Sequence, residues 1–233
     1  MATDRQVTLR SLGEVDRQNL RELTLSRLRE AISVGQLPPG THLAEIELSE
    51  ALSVSRGTLR EALRHLQQEG LLQSDSRGRL SVRVVESHQV QDIFAVRAAL
   101  EALAFETICE LPNRAEIVAK LREMLALLEN AELSLSQRLD ADLDFHATMC
   151  RLSGNETLYS TWLSVRGVAR ATMTVAGPDS ALTNMAYARH EPIVDLLEKG
   201  DADAGRAFLK QHMSQAAARI VEAMDAAPTE AAR

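Results

Sequence analysis

"LAEIELSEALSVSRGTLREALRHLQQEGLLQSDSRGRLSVRVV", residues 43–85, decides how this chain folds. Its first half carries a short helical segment in which Ile46, Leu48 and Leu52 are the apolar positions. "SV" and Ser55 interrupt that segment, and Ser55 opens another helix, because a serine hydroxyl can accept from the free N–H groups of a first helical turn. Gly70 closes it, since glycine takes up the left-handed conformation at little steric cost. Between them Leu59, Ala62, Leu63 and Leu66 recur at helical spacing and predict a core face. Arg56, Arg60 and Arg64 recur every fourth residue and form a separate stripe, about a third of a turn away at 100° per residue. Past Gly70, two short apolar runs flank a polar turn at Asp75–Gly78, the pattern of a β-hairpin.

Upstream, helical periodicity begins at Asn19, with Leu20, Leu23, Leu28, Ala31 and Ile32 expected on one face. Gly35 and "LPPG" (37–40) stop that helix, because proline cannot continue the ladder. Residues 1–16 show no period and read as a flexible arm. Downstream of Val85 the hairpin signals vanish. Helical periodicity runs from Gln89 to Ala226, broken near 111–113, 132–134, 153–155, 176–180 and 199–201, which predicts about six helices. The expected fold is therefore mostly α. A winged helix-turn-helix of three helices plus a hairpin spans 17–86, an all-α bundle spans 87–227, and a tail closes the chain at 228–233.

Composition supports this. The chain is 45% hydrophobic but only 3% aromatic, so Leu, Ala, Val and Ile must build the core, and Ala and Leu favour helix. Cys109 and Cys150 form no CxxC pair and read as buried thiols of a reducing compartment. No run of 18 apolar residues and no signal peptide are present, so the expected location is the cytoplasm, with no membrane partner. The net charge of −7 is unevenly spread: residues 1–85 carry +1 and residues 86–233 carry −8. Within Ser53–Arg83 six Arg stand against three acids. That local excess is the footprint of a nucleic-acid contact.

The pattern also sets the chemistry of that contact. One face of the helix after Ser55 can pack while Arg56, Arg60 and Arg64 enter a major groove. Ser55 and Thr58 can bond phosphate oxygens. Arg77 and Arg79, on either side of Gly78 at the hairpin tip, suit phosphates or a minor groove. A single winged domain has a small footprint, so a homodimer on two half-sites is expected.

Residues 43–72, preceded by "LPPGTHL", resemble the DNA-binding domain of GntR-type transcription regulators, and the resemblance spans roughly Leu20–Val84. The rest of the chain resembles the helical FCD effector domain of the FadR-like branch. "VRAALEALAFE" (96–106), "DLDFH" (142–146), "LSGNETL" (152–158) and "HEPIVDLLEKGDADAGRAFLKQHM" (190–213) carry that likeness. It implies dimeric binding to palindromic operator DNA, and a bundle that takes a small carboxylate effector, often over a divalent metal. It also implies an effector contact at Arg97, whose other reading is a surface ion pair with Glu101.

Asp142 and His146 stand one helical turn apart, so their side chains point the same way. His190 and His212 lie on later helical stretches, and four ligands from three helices can converge inside a bundle. Three imidazoles and a carboxylate suit Zn, Ni, Mn, Fe or Co. Together with the FCD pattern, this spacing makes Asp142, His146, His190 and His212 a candidate metal site. His42, His65 and His88 read as ordinary residues. Asn155 is a possible ligand contact and also a sufficient helix cap. Cys150 and Met149 read as core. No nucleophile motif, catalytic carboxylate pair or Gly-rich phosphate loop appears, so the chain reads as a regulator and not an enzyme. The alternatives are a metal-sensing regulator and, less favoured, a metalloenzyme built on the bundle.

Overall fold

The computed structural model describes residues 17–226, so the arm at 1–16 and the tail at 228–233 lie outside the described residues. Helix α1 (Arg17–Ser33) comes first, then α2 (Glu45–Ala51) and α3 (Arg56–Gln68). Leu25, Leu28 and Ile32 of α1 face the core, but Leu20 and Leu23 are exposed, contrary to the face expected from sequence. The reason is angular. Leu23 precedes Leu28 by five residues, about 140° around the helix.

Ser55 caps α3 by accepting from the Thr58 N–H at 3.1 Å. Leu59, Ala62, Leu63 and Leu66 are buried beneath it. Gly70, at φ 74°, ends it. Strands β1 (Leu72–Ser74) and β2 (Leu80–Val82) then pair antiparallel, with Leu72 opposite Val82. At the hairpin tip the Asp75 carboxylate accepts from the backbone N–H groups of Arg77 and Arg79, both at 2.9 Å. The bonds from Arg79, backbone and guanidinium, and that from Arg77 hold the Asp75 carboxyl below its ordinary range.

The second part is a helical bundle: α4 (Ser87–Glu110), α5 (Arg114–Leu125), a 3-10 turn (Ala126–Glu129), α6 (Leu135–Leu152), α7 (Glu156–Val175), α8 (Gly177–Asn184), α9 (Tyr187–Lys199) and α10 (Ala202–Ala226). Seven α-helices stand among the described residues after Val85, where sequence predicts about six. The extra one is α8. Its break with α7 is only Ala176 wide, because Pro178 sits in the first turn of α8, where a missing N–H costs nothing. Helices α4 and α10 pack along each other. Gly205 of α10 makes this possible, since a Cβ there would sit 1.9 Å from the Phe105 ring.

The two parts share a continuous apolar core that runs from Leu28 and Leu59 to Leu143, Trp162 and Ile220. Polar contacts reinforce the junction. Glu30 of α1 accepts from the Ser136 N–H at the start of α6, 3.0 Å away. Arg29 pairs with Glu69 at the end of α3. Arg170 of α7 reaches Asp140 and the Ser136 hydroxyl. Gly167 of α7 lies directly on the end of α3, where a Cβ would sit 2.1 Å from the Glu69 carbonyl oxygen. The end of α3 and the start of α6 are thus held by neighbouring residues of α1 and α7: Arg29 and Gly167 at the one, Glu30 and Arg170 at the other. No helix of the described residues is long and apolar enough to cross a membrane.

Candidate functional site

Helix α6 presents Asp142 and His146 to the interior, α9 presents His190 and α10 presents His212; all four are buried. His146, His190 and His212 each offer a ligand nitrogen, and these atoms lie within 4.8 Å of one another. The Asp142 Oδ1 is 3.0 Å from His190 Nε2. His190 Nδ1 lies 3.0 Å from the Ala186 carbonyl oxygen, which can only accept. The ring proton therefore sits on Nδ1, and in the neutral ring the Nε2 lone pair faces the Asp142 carboxylate. Neither His190 Nε2 nor His146 Nδ1 has an aligned hydrogen-bond partner among the described residues. The His190 Nε2 lone pair, turned towards a carboxylate without a proton between them, suits a cation. The donor set present therefore fits a divalent metal ion.

The electrostatics favour the neutral, metal-binding form of His146 and His212. Burial, then the neighbouring charges of His190, His146 and Arg189, push His212 well below the usual histidine range. Burial alone would raise Asp142, but the 3.0 Å approach of His190 and the nearness of His146 and Arg97 outweigh it and hold the carboxyl low.

Glu101 is the residue that sequence reasoning missed. It is 0% exposed, so the Arg97–Glu101 pair, the other reading of Arg97, exists but is buried and not superficial. Its Oε1 accepts from Arg97 Nε at 3.1 Å and from Trp162 Nε1 at 3.0 Å. Its Oε2 lies 2.5 Å from His146 Nδ1. Burial opposes the charge, yet His146, Arg97 and the Trp162 indole hold Glu101 at about 2. One signal was available: "VRAALEALAFE" carries apolar residues on most of its faces, and such a helix buries more than one of them. Arg97 also lies over the rings of Phe94 and Trp162, and its Nη2 is buried without a partner.

Phe94 and Arg97 line a small cavity with Asp142, His146, Met173, Asn184, His190 and His212, while Glu101 and Trp162 stand behind its wall. Its volume is about 10 Å³, room for roughly one water-sized particle. Asn155 is not among the lining residues; its side chain accepts from the Leu158 N–H at 3.0 Å and caps α7. The amide at the cavity is Asn184, which receives Arg219 Nε at 3.0 Å. Cys150 is buried in the core, where desolvation raises its thiol, and Met149 is core as well. Asp144 is exposed and accepts from Arg166.

The other candidate surface is the outside of α3 and the hairpin. Arg56, Arg60 and Arg64 are exposed on a stripe beside the buried leucine face. Arg56 makes no ion pair among the described residues, whereas Arg60 pairs with Glu45 and Arg64 with Glu61, both at 2.7 Å. Ser55 and Thr58 share a hydroxyl contact of 2.9 Å at the N-terminus of α3. Arg77 and Arg79 project from the tip around Gly78, at φ 75°, with Arg79 leaning on Asp75.

A winged helix-turn-helix with a free basic helix, joined to a bundle that encloses polar groups, defines a DNA-binding transcription regulator. The chain belongs to the gntR family of bacterial regulatory proteins: residues 14–82 match that family's model and residues 92–215 match the FCD domain. The Nta operon transcriptional regulator of Aminobacter aminovorans is 31% identical over 82% of this chain and 90% of its own length. A probable D-xylose utilization operon transcriptional repressor of Paenarthrobacter nicotinovorans is 27% identical over 78% of this chain and 80% of its own. Among solved structures, a putative GntR transcriptional regulator from Rhodococcus sp. RHA1 superposes with a TM-score of 0.61 at 25% identity, covering 88% of this chain and 98% of that one. The McbR/YncC protein of E. coli shares the fold, with a TM-score of 0.60 at 22% identity over 87% of this chain and 97% of that one. The matched families and relatives are regulators of transcription, not enzymes.

Proposed function

We propose that the chain is a ligand-responsive regulator that binds palindromic operator DNA as a cytoplasmic homodimer, and whose bundle holds a divalent metal (Zn, Ni, Mn, Fe or Co) and a small carboxylate effector. The observation that carries this is the convergence of His146, His190 and His212 in one buried cavity, with Asp142 against His190. These four residues are the proposed ligands. A bound divalent ion would supply a positive centre to which a carboxylate oxygen can attach. Glu101 keeps the His146 ring oriented from behind and fixes Arg97. Arg97 offers its unpaired Nη2 to the effector's carboxylate. Asn155, engaged as a cap, has no part in this reading.

A cavity of about 10 Å³ has no room for a carboxylate as it stands. Admitting one must move the walls that α6, α9 and α10 supply. Helix α6 starts on Glu30 of α1, and α7 lies against the end of α3, so a shift of α6 bears on the recognition helix. An effector changes DNA affinity only through such a difference between states. An operator titration with and without small mono- and dicarboxylates tests this, repeated after chelation. We expect an acid that raises the thermal midpoint to change operator affinity, and the change to vanish with chelator. A change produced by chelation alone, with no acid active, would favour the metal-sensing alternative.

On the DNA side, Arg56, Arg60 and Arg64 read the major groove, Ser55 and Thr58 hold phosphate, and Arg77, Gly78 and Arg79 form the wing contact. Two copies are needed for two half-sites. A wide groove of about 670 Å³ lies between α4 and α10; none of the three histidines lines it, and Phe94 and Met213 separate it from their cavity. Its floor is Ala95, Ala98 and Ala99, and Leu103 and Val96 are exposed on α4. That apolar surface supports self-association better than effector binding, because the buried charges of the bundle converge on the histidine cavity instead. Sedimentation at micromolar concentration is expected to give twice the chain mass of 25.6 kDa. A monomer both free and on DNA would refute the dimer.

A further inference from the structure

Outside the histidine cavity lies an open pocket of about 260 Å³, lined by Arg189, Gln211, His212 and Gln215 among others. His212 is a wall of both spaces. Arg189 is anchored by one bond, from Nη2 to the His212 carbonyl oxygen at 3.2 Å, and its Nε is buried without a partner. Arg219 lies seven residues after His212 on α10, two turns along the same face. It is anchored on the cavity amide Asn184, and its Nη2 is likewise buried and unpartnered. Neither guanidinium forms an ion pair with a carboxylate among the described residues, whereas Arg122, Arg166 and Arg206 on the bundle surface each do. Arg189, which lines the outer pocket, and Arg219, which is bonded to the cavity residue Asn184, thus carry sequestered, unsatisfied donors that lack an anion.

We propose that the pocket over Arg189 receives a second anionic group, so that the effector is a small dicarboxylate with one end in the histidine cavity and the other held by Arg189 and Arg219. This rests on the reading of the cavity as the effector site and narrows it to a ligand class. Both arginines are anchored on residues that wall the cavity, His212 and Asn184, yet their free donors lie outside its histidine cluster. The two ends of such a molecule therefore meet different groups. Arg97 serves the inner carboxylate and the outer pair serves the distal one.

The test is calorimetry on the full chain with one equivalent of Zn²⁺, at fixed ionic strength. Propionate, butyrate and valerate are compared with malonate, succinate and glutarate. At least one dicarboxylate should bind about ten- to a hundredfold tighter than the monocarboxylate of equal carbon number. Arg189→Gln and Arg219→Gln should each remove that preference while leaving monocarboxylate affinity unchanged, and Arg189→Lys should restore part of it. Metal content and melting are read on the same samples, and the two sites serve as independent variants should one of them fold poorly. Dicarboxylates that bind no tighter than monocarboxylates, or a preference that survives both Gln substitutions, would overturn the inference and leave the effector reading standing. If the monocarboxylates fail to bind as well, the effector reading itself fails and the inference falls with it.

Discussion

Glu101→Ala is expected to lower stability by about 3–5 kcal/mol, the usual cost of removing one partner from a buried ion pair. Arg97 and Glu101 are both almost wholly enclosed, at 1% and 0% exposure. Removing the carboxylate leaves the Arg97 charge unbalanced, the Trp162 N–H without its acceptor and His146 without its neighbour. The penalty is therefore larger than the loss of one exposed pair, such as Lys120 with Glu123. Urea unfolding of wild type, Glu101→Ala and Lys120→Ala measures it. Glu101→Gln should cost less, because an amide oxygen can still accept from Trp162. A midpoint for Glu101→Ala within error of the Lys120→Ala midpoint would show that Glu101 does not hold this cluster together.

Arg56→Ala and Arg60→Ala are each expected to weaken operator binding by about 1–3 kcal/mol, roughly 5- to 150-fold. Arg56→Ala should show the greater loss. Arg56 is free of ion pairs among the described residues, so its whole charge is available to DNA. Arg60 must first leave Glu45. That rearrangement offsets part of its gain, and Glu45→Gln should strengthen binding modestly through Arg60. Arg79, by contrast, sits on a hairpin tip already ordered by Asp75. Its removal should lower affinity on all sequences alike and flatten the salt dependence. Titrations at one fixed salt concentration, with folding checked by circular dichroism, decide this. Unchanged binding for both Arg56→Ala and Arg60→Ala would remove α3 from the interface.

Local signals carried most of the DNA-binding half. The Ser55 cap, the Leu59–Leu66 face, Gly70 and the Asp75–Gly78 turn are each decided within a few residues, and the structure has all four. The placement of Leu23 was not legible, because periodicity fits several faces and only the partner surface chooses among them. In the bundle, the i, i+4 spacing of Asp142 and His146 is local, and helix geometry alone puts them together. The approach of His190 and His212 is not local. It depends on how α6, α9 and α10 pack, and the family pattern, not periodicity, made it foreseeable. Glu101 and Asn184 were missed for the same reason. A carboxylate in an apolar helix reads as surface until the helix is known to be enclosed by α6, α7 and α10. The break at Met185 and Ala186 has no glycine or proline to mark it.

Whether the histidine cavity is a metal site is decided by metal analysis of the untagged chain. Purified without chelator, or supplied with Zn²⁺, Ni²⁺ or Mn²⁺, the wild type is expected to hold about one equivalent per chain, given one cluster of three mutually close histidines among the described residues. His146→Ala, His190→Ala and His212→Ala should each lose most of that metal while keeping the winged domain folded, since all three lie outside it. His65→Ala, on α3, should keep it. A wild type that holds no metal and takes up none from any of the three salts would contradict the metal reading, and would leave His146 a core histidine beside Glu101.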